Sequence, residues 1–388
     1  MSNIKYIDEV EVKNKRVLLR VDFNVSLNQN NTIADDARIR QSLPTIKKLL
    51  ANGNSIIIVS HLGRPKGIDK KYSLSVVAGK LEEYFPDEKI VLYEKTSDIK
   101  TSNEKFMILE NIRFFPEEKG YSEDFAKELS SLADVYVNDA FGVCHRADTS
   151  VIGPPKYIPA YGGLLLKKEI EMISRVTENA QKPVTAIIGG AKVSTKIGLI
   201  NKLLSIVDYL VVGGGLANTF LCAQGLNVGQ SFCEYEAVQQ AKSIIEMAKT
   251  SRAKLILPVD GAVAKTKDDK SYDLIKVEEI PVDMSIFDNG PESSARIARL
   301  IALSKTIIWN GPVGYFENPA FRRGTDFIYY SITQNTDSVS IVGGGDTLAA
   351  ISKKEYLDKI THISTGGGAM LEYIEKGTLP GIEALKNR

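Results

Sequence analysis

Two lysines four residues apart follow a glycine pair at the end of an apolar run. Gly189-Gly190-Ala191-Lys192-Val193-Ser194-Thr195-Lys196 comes directly after Val184–Ile188. Residues four apart on a helix share a face, so the spacing predicts two ammonium groups on one face of a helix N-terminus. Such an end already favours anions, and the chemistry that fits is phosphate binding. Three glycine triplets repeat the theme, each at the end of an apolar run: Gly213-Gly214-Gly215, Gly343-Gly344-Gly345 and Gly366-Gly367-Gly368. Glycine at a strand end lets bare backbone N–H groups approach an anion. The second triplet continues into Asp346-Thr347. Beside a polyphosphate, that carboxylate would hold Mg²⁺, which takes one or two carboxylates together with phosphate oxygens. The run Trp309-Asn310-Gly311-Pro312-Val313-Gly314-Tyr315-Phe316-Glu317 reads as a tight apolar turn ending in a carboxylate suited to a ribose hydroxyl. GxxxxGK[ST] does not occur, so the cradle is not a Walker A loop.

The first half carries different chemistry at its strand ends. Apolar runs lead into Arg20, Asp22 and Asn24, into Ser60-His61-Leu62-Gly63-Arg64-Pro65, into Glu110, Asn111 and Arg113, and into Asn138-Asp139 with His145-Arg146 beyond. Arg38, His61, Arg64, Arg113 and Arg146 converge if those ends share one sheet edge. Arginine is the natural fork for phosphate and carboxylate oxygens, and Asp22 and Asn24 would hydrogen-bond a hydroxyl and a carbonyl. The expected ligand is small and strongly anionic. Cys144 beside His145 raises a thiol nucleophile, but a buried apolar filler is the expected role.

The elements that must position these groups are parallel strands alternating with helices. Helical patterns fall at 39–51, 73–85, 122–132, 236–249, 292–304 and 347–355, and Leu164–Thr177 reads as a helix connecting two domains. In open α/β sheets ligands bind beyond the carboxyl ends of the strands, which is where all these motifs lie. The residues 364–371 read as a glycine-rich hinge, and 379–385 as an apolar segment that needs something to pack on.

Composition fits this picture. The chain has 388 residues, enough for two cores, with 43% hydrophobic and 25% charged residues. A net charge of +1 gives no whole-molecule pull toward nucleic acid or membrane. No apolar stretch approaches the roughly 18–20 residues of a membrane helix, and residues 1–8 carry no signal-peptide pattern. Three cysteines without CxxC or metal spacing favour a reducing, cytoplasmic setting.

Together the motifs resemble the phosphoglycerate kinase family. Arg20-Val21-Asp22-Phe23-Asn24-Val25, Ser60 to Pro65, Leu109-Glu110-Asn111-Ile112-Arg113-Phe114, Asn138-Asp139-Ala140-Phe141-Gly142, Gly189 to Val193, Trp309 to Gly314, Gly343 to Thr347 and Ser364 to Ala369 run in family order along nearly the whole chain. The resemblance implies two Rossmann-like α/β domains with parallel sheets, joined by a long helix, with a ligand cleft between them. It implies a phosphoglycerate-binding domain over 1–163, an interdomain helix over 164–178 and a nucleotide-binding domain over 179–371, with 372–388 returning to the first. Carried over by motif, Asp22, Asn24, Arg38, His61, Leu62, Gly63, Arg64, Arg113 and Arg146 bind the phosphoglycerate. Gly190, Lys196, Gly214, Glu317, Gly344, Gly345, Asp346 and Thr347 bind the nucleotide, with Asp346 on the metal. Arg38, Lys192, Lys196, Gly345 and Gly368 face the transferring phosphoryl. The implied partners are 3-phosphoglycerate, 1,3-bisphosphoglycerate and Mg²⁺ with ATP or ADP, on a cytoplasmic monomer that uses neither nucleic acid nor membrane. Ser26, Thr195 and Met370 depart from the residues usual in the family, and Ile286 stands where some members have glycine.

The implied reaction explains the lack of an obvious general base. Its acceptor is a carboxylate, ionised at neutral pH with a reference pKa near ~4, so positioning and charge neutralisation suffice. A dinucleotide-dependent oxidoreductase would need GxGxxG, to which none of the triplets extends. A nucleotide-binding α/β protein without this activity would keep the glycine cradles but have no use for the arginine set.

Overall fold

A computed structural model describes residues 4–351 and 353–386. The chain divides into two compact units, Met1–Glu171 with Lys376–Arg388 and Met172–Glu375. The boundary falls within the helix Leu164–Thr177.

In the first unit the strands are β1 (Arg16–Arg20), β2 (Ser26–Leu27), β3 (Ile33–Asp35), β4 (Ser55–Val59), β5 (Ile90–Tyr93), β6 (Phe106–Leu109), β7 (Val135–Asn138) and β8 (Ala160–Gly162). Six of them make one parallel sheet in the order β5-β6-β4-β1-β7-β8, and β2 pairs antiparallel with β3. The central strands are continuous apolar runs because helices cover both faces of a parallel sheet. Val17, Leu19, Ile56, Ile58, Ile108 and Val137 lie in one buried core. Register then decides where the chemistry emerges. Arg20 lies level with Val59 on one side and Asn138 on the other, so the residues that follow all leave the sheet at one edge. The C-terminal segment completes this unit. Leu379, Ile382 and Leu385 are buried, and the Gly381 N–H donates to the Cys144 carbonyl at 2.8 Å.

In the second unit the strands are β9 (Val184–Ile188), β10 (Tyr209–Val212), β11 (Lys254–Ile256), β12 (Asp260–Ala264), β13 (Asp273–Lys276), β14 (Ser285–Asn289), β15 (Thr306–Asn310), β16 (Val339–Gly343) and β17 (His362–Ser364). A parallel sheet runs β11-β10-β9-β15-β16-β17. Trp309, fully buried on β15, anchors its core with Ile187, Val211, Ile328 and Val342.

Three features differ from the reading of the sequence. A second, antiparallel sheet β13-β12-β14 stands within this unit, where βα alternation alone is expected. Its edge strand β13 is mostly exposed, so the apolar pattern is weak there. The helix expected over 347–355 is only Gly345–Ala350. The chain leaves the helix at Ile351, and Ile351, Tyr356, Leu357 and Ile360 pack onto the sheet core. The two lysines of the 189–196 motif do not share a helix face. The helix begins at Ile197, with Lys196 as its N-cap and Lys192 on the preceding loop.

Candidate functional site

In the first unit the strand-end side chains gather around Asp22 and His61. Asp22 is buried just beyond β1, and its Oδ1 accepts from Arg38 Nη1 at 3.2 Å and from the Asn24 N–H at 3.1 Å. Arg38 comes from the first turn of the helix Ala37–Ala51 and also donates to the Asn24 carbonyl at 2.9 Å. Asn24 in turn accepts the Gly63 N–H on its Oδ1 at 2.8 Å. That bond fixes the turn Leu62-Gly63-Arg64, in which Gly63 takes φ +63°, a conformation that favours glycine. Leu62 is buried and tied through its backbone to Asn111, and the Gly63 carbonyl accepts from Arg113. Arg64 itself is exposed at the outer edge of this turn.

Electrostatics confirms the gathering. Burial, together with the positive charges of Arg20, Arg113 and Arg146, holds His61 well below its ordinary pKa, against the opposing pull of Asp22. Its ring is therefore neutral at pH 7, and its Nδ1 lies 3.9 Å from Asp22 Oδ1. Burial pushes Asp22 up, but the Arg38 charge, the Asn24 N–H and the Arg20 charge counter it, and the carboxyl stays below the usual carboxylate range. Arg113 is lowered by burial and by the neighbouring Arg146 and Arg20. Arg146 is half-buried, and its Nε has no hydrogen-bond partner. This is a patch of crowded, partly desolvated cations, arranged for an anion.

Arg20 is a member that the sequence reading left outside the site. It is buried, donates to Ser150 Oγ at 2.8 Å and stands 3.9 Å from Glu118. Its position at the end of β1, inside the Arg20-Val21-Asp22 run, was the available signal. Cys144 is buried and burial pushes its thiol up to about 12, which rules it out as a nucleophile at neutral pH.

In the second unit the glycine-rich strand ends meet. Gly344 takes φ +109°, and a Cβ there would stand 2.8 Å from Asn310 Nδ2 and 2.9 Å from Thr347 Oγ1. A Cβ on Gly367 would lie 2.3 Å from the Gly344 Cα, so the second and third triplets touch backbone to backbone. Gly345 and Gly368 have open space on their Cα faces. Thr347 is buried and accepts the Gly311 N–H at 2.7 Å, locking the 309–317 turn to the second triplet. Gly214, at φ +67°, donates to the Val313 carbonyl at 3.1 Å from the other side.

Lys196 sits in the middle of these ends. Its Nζ donates to the Gly189 carbonyl at 2.8 Å and to Asn310 Oδ1 at 3.2 Å. Burial lowers its pKa to about 8, with Asp346 opposing. Asn310, at the end of β15, also donates to the Gly343 carbonyl at 2.7 Å, which makes it the bracket between the lysine and the triplet. The sequence reading quoted Asn310 within its motif but gave it no role. Lys192 is exposed on its loop.

Beside this cradle lies a cavity of about 690 Å³, within the usual range of ligand pockets. Gly190, Gly214, Glu317 and Asp346 line it, and so do Phe232, Ile286 and Tyr315. It has an apolar wall of Phe232, Ile286, Phe287 and Tyr315 and a glycine-lined end at Gly190, Gly214 and Gly215. The β14 side of this wall, Ser285, Ile286 and Phe287, comes from the antiparallel sheet that the sequence concealed.

Known proteins match this chain over nearly its whole length. A family model described as phosphoglycerate kinase matches residues 7–377. A phosphoglycerate kinase of Dictyoglomus turgidum is 46% identical, with 97% of each chain covered. One from Pelotomaculum thermopropionicum is 42% identical, with 99% of each covered. The solved phosphoglycerate kinase of Coxiella burnetii superposes with a TM-score of 0.90 at 41% identity, with 98% of each chain covered. That of Pyrococcus horikoshii gives 0.83 at 29%, again with 98% of each chain covered. A family model over nearly the whole chain and relatives more than 40% identical along their full length show that this chain belongs to the phosphoglycerate kinase family.

Proposed function

We propose that this kinase, which moves a phosphoryl group reversibly between 1,3-bisphosphoglycerate and ADP, grips its two substrates by different means in its two units. The observation that carries the reading is the contrast itself: side-chain cations crowd one strand edge, while bare backbone and one half-buried lysine line the other. On the first unit, Arg113, Arg146 and Arg64 bind the non-reacting phosphate. Arg113 and Arg146 are half-buried, and the Arg146 Nε has no hydrogen-bond partner, so a phosphate meets cations that have already given up part of their hydration. Asp22, Asn24 and the neutral His61 hydrogen-bond the hydroxyl and carboxyl of the glycerate, on the rigid turn of Leu62 and Gly63. Arg38, held by Asp22 and Asn24, faces the reacting carboxyl end.

On the second unit, the nucleotide base lies against Phe232, Ile286 and Tyr315, and Glu317 takes a ribose hydroxyl. The phosphates follow Gly190, Gly214, Gly344, Gly345 and Thr347. Lys196 and Lys192 then face the transferring group, together with the N–H groups of Gly345 and Gly368. No base has to take a proton, because the attacking carboxylate is already ionised. The work is positioning and charge neutralisation, with reacting atoms brought to about 3–3.5 Å.

Mg²⁺ enters with the nucleotide. Asp346, exposed in the first turn after the second triplet, lines the cavity and offers one carboxylate. Among the described residues, no group of three His, Cys, Asp or Glu could hold a metal unaided, so phosphate oxygens and water complete the shell, as Mg²⁺ prefers. When bound, the ion offsets negative charge on the phosphates. Among the described residues no helix is long and apolar enough to cross a membrane; a monomer acting in the cytoplasm is the setting we propose.

The arginines divide between binding and chemistry. Arg64→Ala is expected to raise the KM for 3-phosphoglycerate about tenfold or more while kcat falls less than threefold, the signature of lost uniform binding. Initial-rate kinetics over a 3-phosphoglycerate series measures this. A lowered kcat at unchanged KM would move Arg64 to the reacting end.

A further inference from the structure

Glu234 touches neither the glycine cradle nor the arginine patch, yet it holds the loop that delivers the lysines. Its Oε2 accepts from the Ser194 N–H at 3.0 Å, and its Oε1 accepts from the Ser194 hydroxyl. Both bonds of one carboxylate therefore end on a single residue midway between Lys192 and Lys196. Glu234 is itself anchored. Its N–H donates at 3.0 Å to Oγ1 of Thr219, a fully buried residue of the helix Gly215–Ala223. The other end of the same segment is tied to the nucleotide cavity. The Ser231 hydroxyl accepts the Ile286 N–H at 2.8 Å, and Ile286 and Phe232 both line the cavity wall. A stretch of four residues thus runs from the cavity wall to the lysine loop, fixed by hydrogen bonds at each end.

We propose that Glu234 is a positioning residue, which sets the lysine loop 190–196 at the height where Lys192 and Lys196 meet the transferring phosphoryl group. The Ser194 hydrogen bonds hold the Glu234 carboxyl below its usual range, with the Lys192 charge adding to the effect, so the brace is ionised at neutral pH. A charged acceptor makes roughly twice as strong a hydrogen bond as a neutral one. Because Phe232 stands two residues away on the cavity wall, a bound base presses on the same segment that holds the loop. Nucleotide occupancy and lysine placement are thereby linked through one short piece of chain. This inference rests on the reading of Lys192 and Lys196 as the groups that face the phosphoryl.

The test is kinetic and uses the full chain. A displacement of about 1 Å far from the chemistry can cost up to about 10²-fold in rate. Glu234→Ala, which removes both bonds to Ser194, is expected to lower kcat about tenfold, with the KM values for ATP and 3-phosphoglycerate within twofold of wild type. Glu234→Gln keeps one acceptor oxygen and should recover most of the loss. Ser194→Ala removes one bond and should cost about threefold, and the double substitution should be no slower than Glu234→Ala alone, because both act through one contact. Thermal unfolding of each variant checks that the fold is intact; should Glu234→Ala fail to fold, Ser194→Ala and Glu234→Gln carry the test. A kcat for the folded Glu234→Ala within twofold of wild type overturns the proposal, as does a double variant whose losses multiply. A wild-type chain without phosphoryl transfer would instead overturn the reading beneath it.

Discussion

Lys196→Ala is expected to lower kcat about 10²–10³-fold, the scale on which loss of one preorganised charge stabiliser is felt. The side chain is not a free surface lysine. Its ammonium is held between the Gly189 carbonyl and Asn310 Oδ1, and burial has already removed much of its hydration, which is why its pKa falls to about 8. A cation prepared in this way gains most when the transferring phosphoryl arrives. The KM for 3-phosphoglycerate should stay within twofold, because Lys196 belongs to the second unit and the arginine patch to the first. The same residue sets a pH signature. A folded pKa of about 8, below the ordinary 10.5, means that the charged form is present below pH 8 and lost above it. The kcat/KM for nucleotide reports the free enzyme, so it should fall as pH rises through about 8. Lys196→Arg, which stays charged, should remove that fall whatever its absolute rate. A Lys196→Ala enzyme within threefold of wild type, or a wild-type profile flat to pH 9.5, would take Lys196 out of the reaction.

Arg38→Ala is expected to lower kcat by a similar factor, about 10²–10³-fold, with a smaller rise in the KM for 3-phosphoglycerate. Arg38 bridges Asp22 and the Asn24 carbonyl, so its guanidinium is fixed before substrate binds, and in its proposed role it faces charge that develops during transfer. Its removal also strips Asp22 of its main counter-charge, leaving burial to push that carboxyl upward. The variant should therefore lose activity at a higher pH on the acid side than wild type does. Arg38→Lys should restore little, because an ammonium on a flexible stem lacks the planar, rigid fork of the guanidinium. Steady-state kinetics from pH 5 to 8 on the three proteins decides the matter. A raised KM at constant kcat would make Arg38 a binding residue only.

The parts of this site that were legible in the sequence share a cause. Continuous apolar runs such as Ile56-Ile57-Ile58-Val59 mark buried parallel strands, and their carboxyl ends locate the chemistry without any knowledge of packing. Glycines with a backbone reason to be there, such as Gly344 against Asn310 and Thr347, were legible in the same way. What stayed hidden depends on contacts distant in sequence. Nothing local says that Asn310 brackets Lys196 across 114 positions, or that Ser231 holds Ile286 across 55. The apolar wall of the cavity was missed because it belongs to an antiparallel sheet whose edge strand β13 is mostly exposed, so no continuous apolar pattern marks it. The shared helix face assigned to Lys192 and Lys196 failed for a related reason. Periodicity gives the face of a helix but not its first residue, and here the helix starts at Ile197, one residue after the second lysine.

The division of labour between the units is tested most directly by initial rates of the purified wild-type chain with ATP, Mg²⁺ and 3-phosphoglycerate, coupled to consumption of the acyl phosphate. ADP should form only when 3-phosphoglycerate is present, each substrate should saturate independently, and addition of ADP and 1,3-bisphosphoglycerate should run the reaction backward. ATP that binds without transfer, or that is hydrolysed at the same rate without 3-phosphoglycerate, would contradict the account.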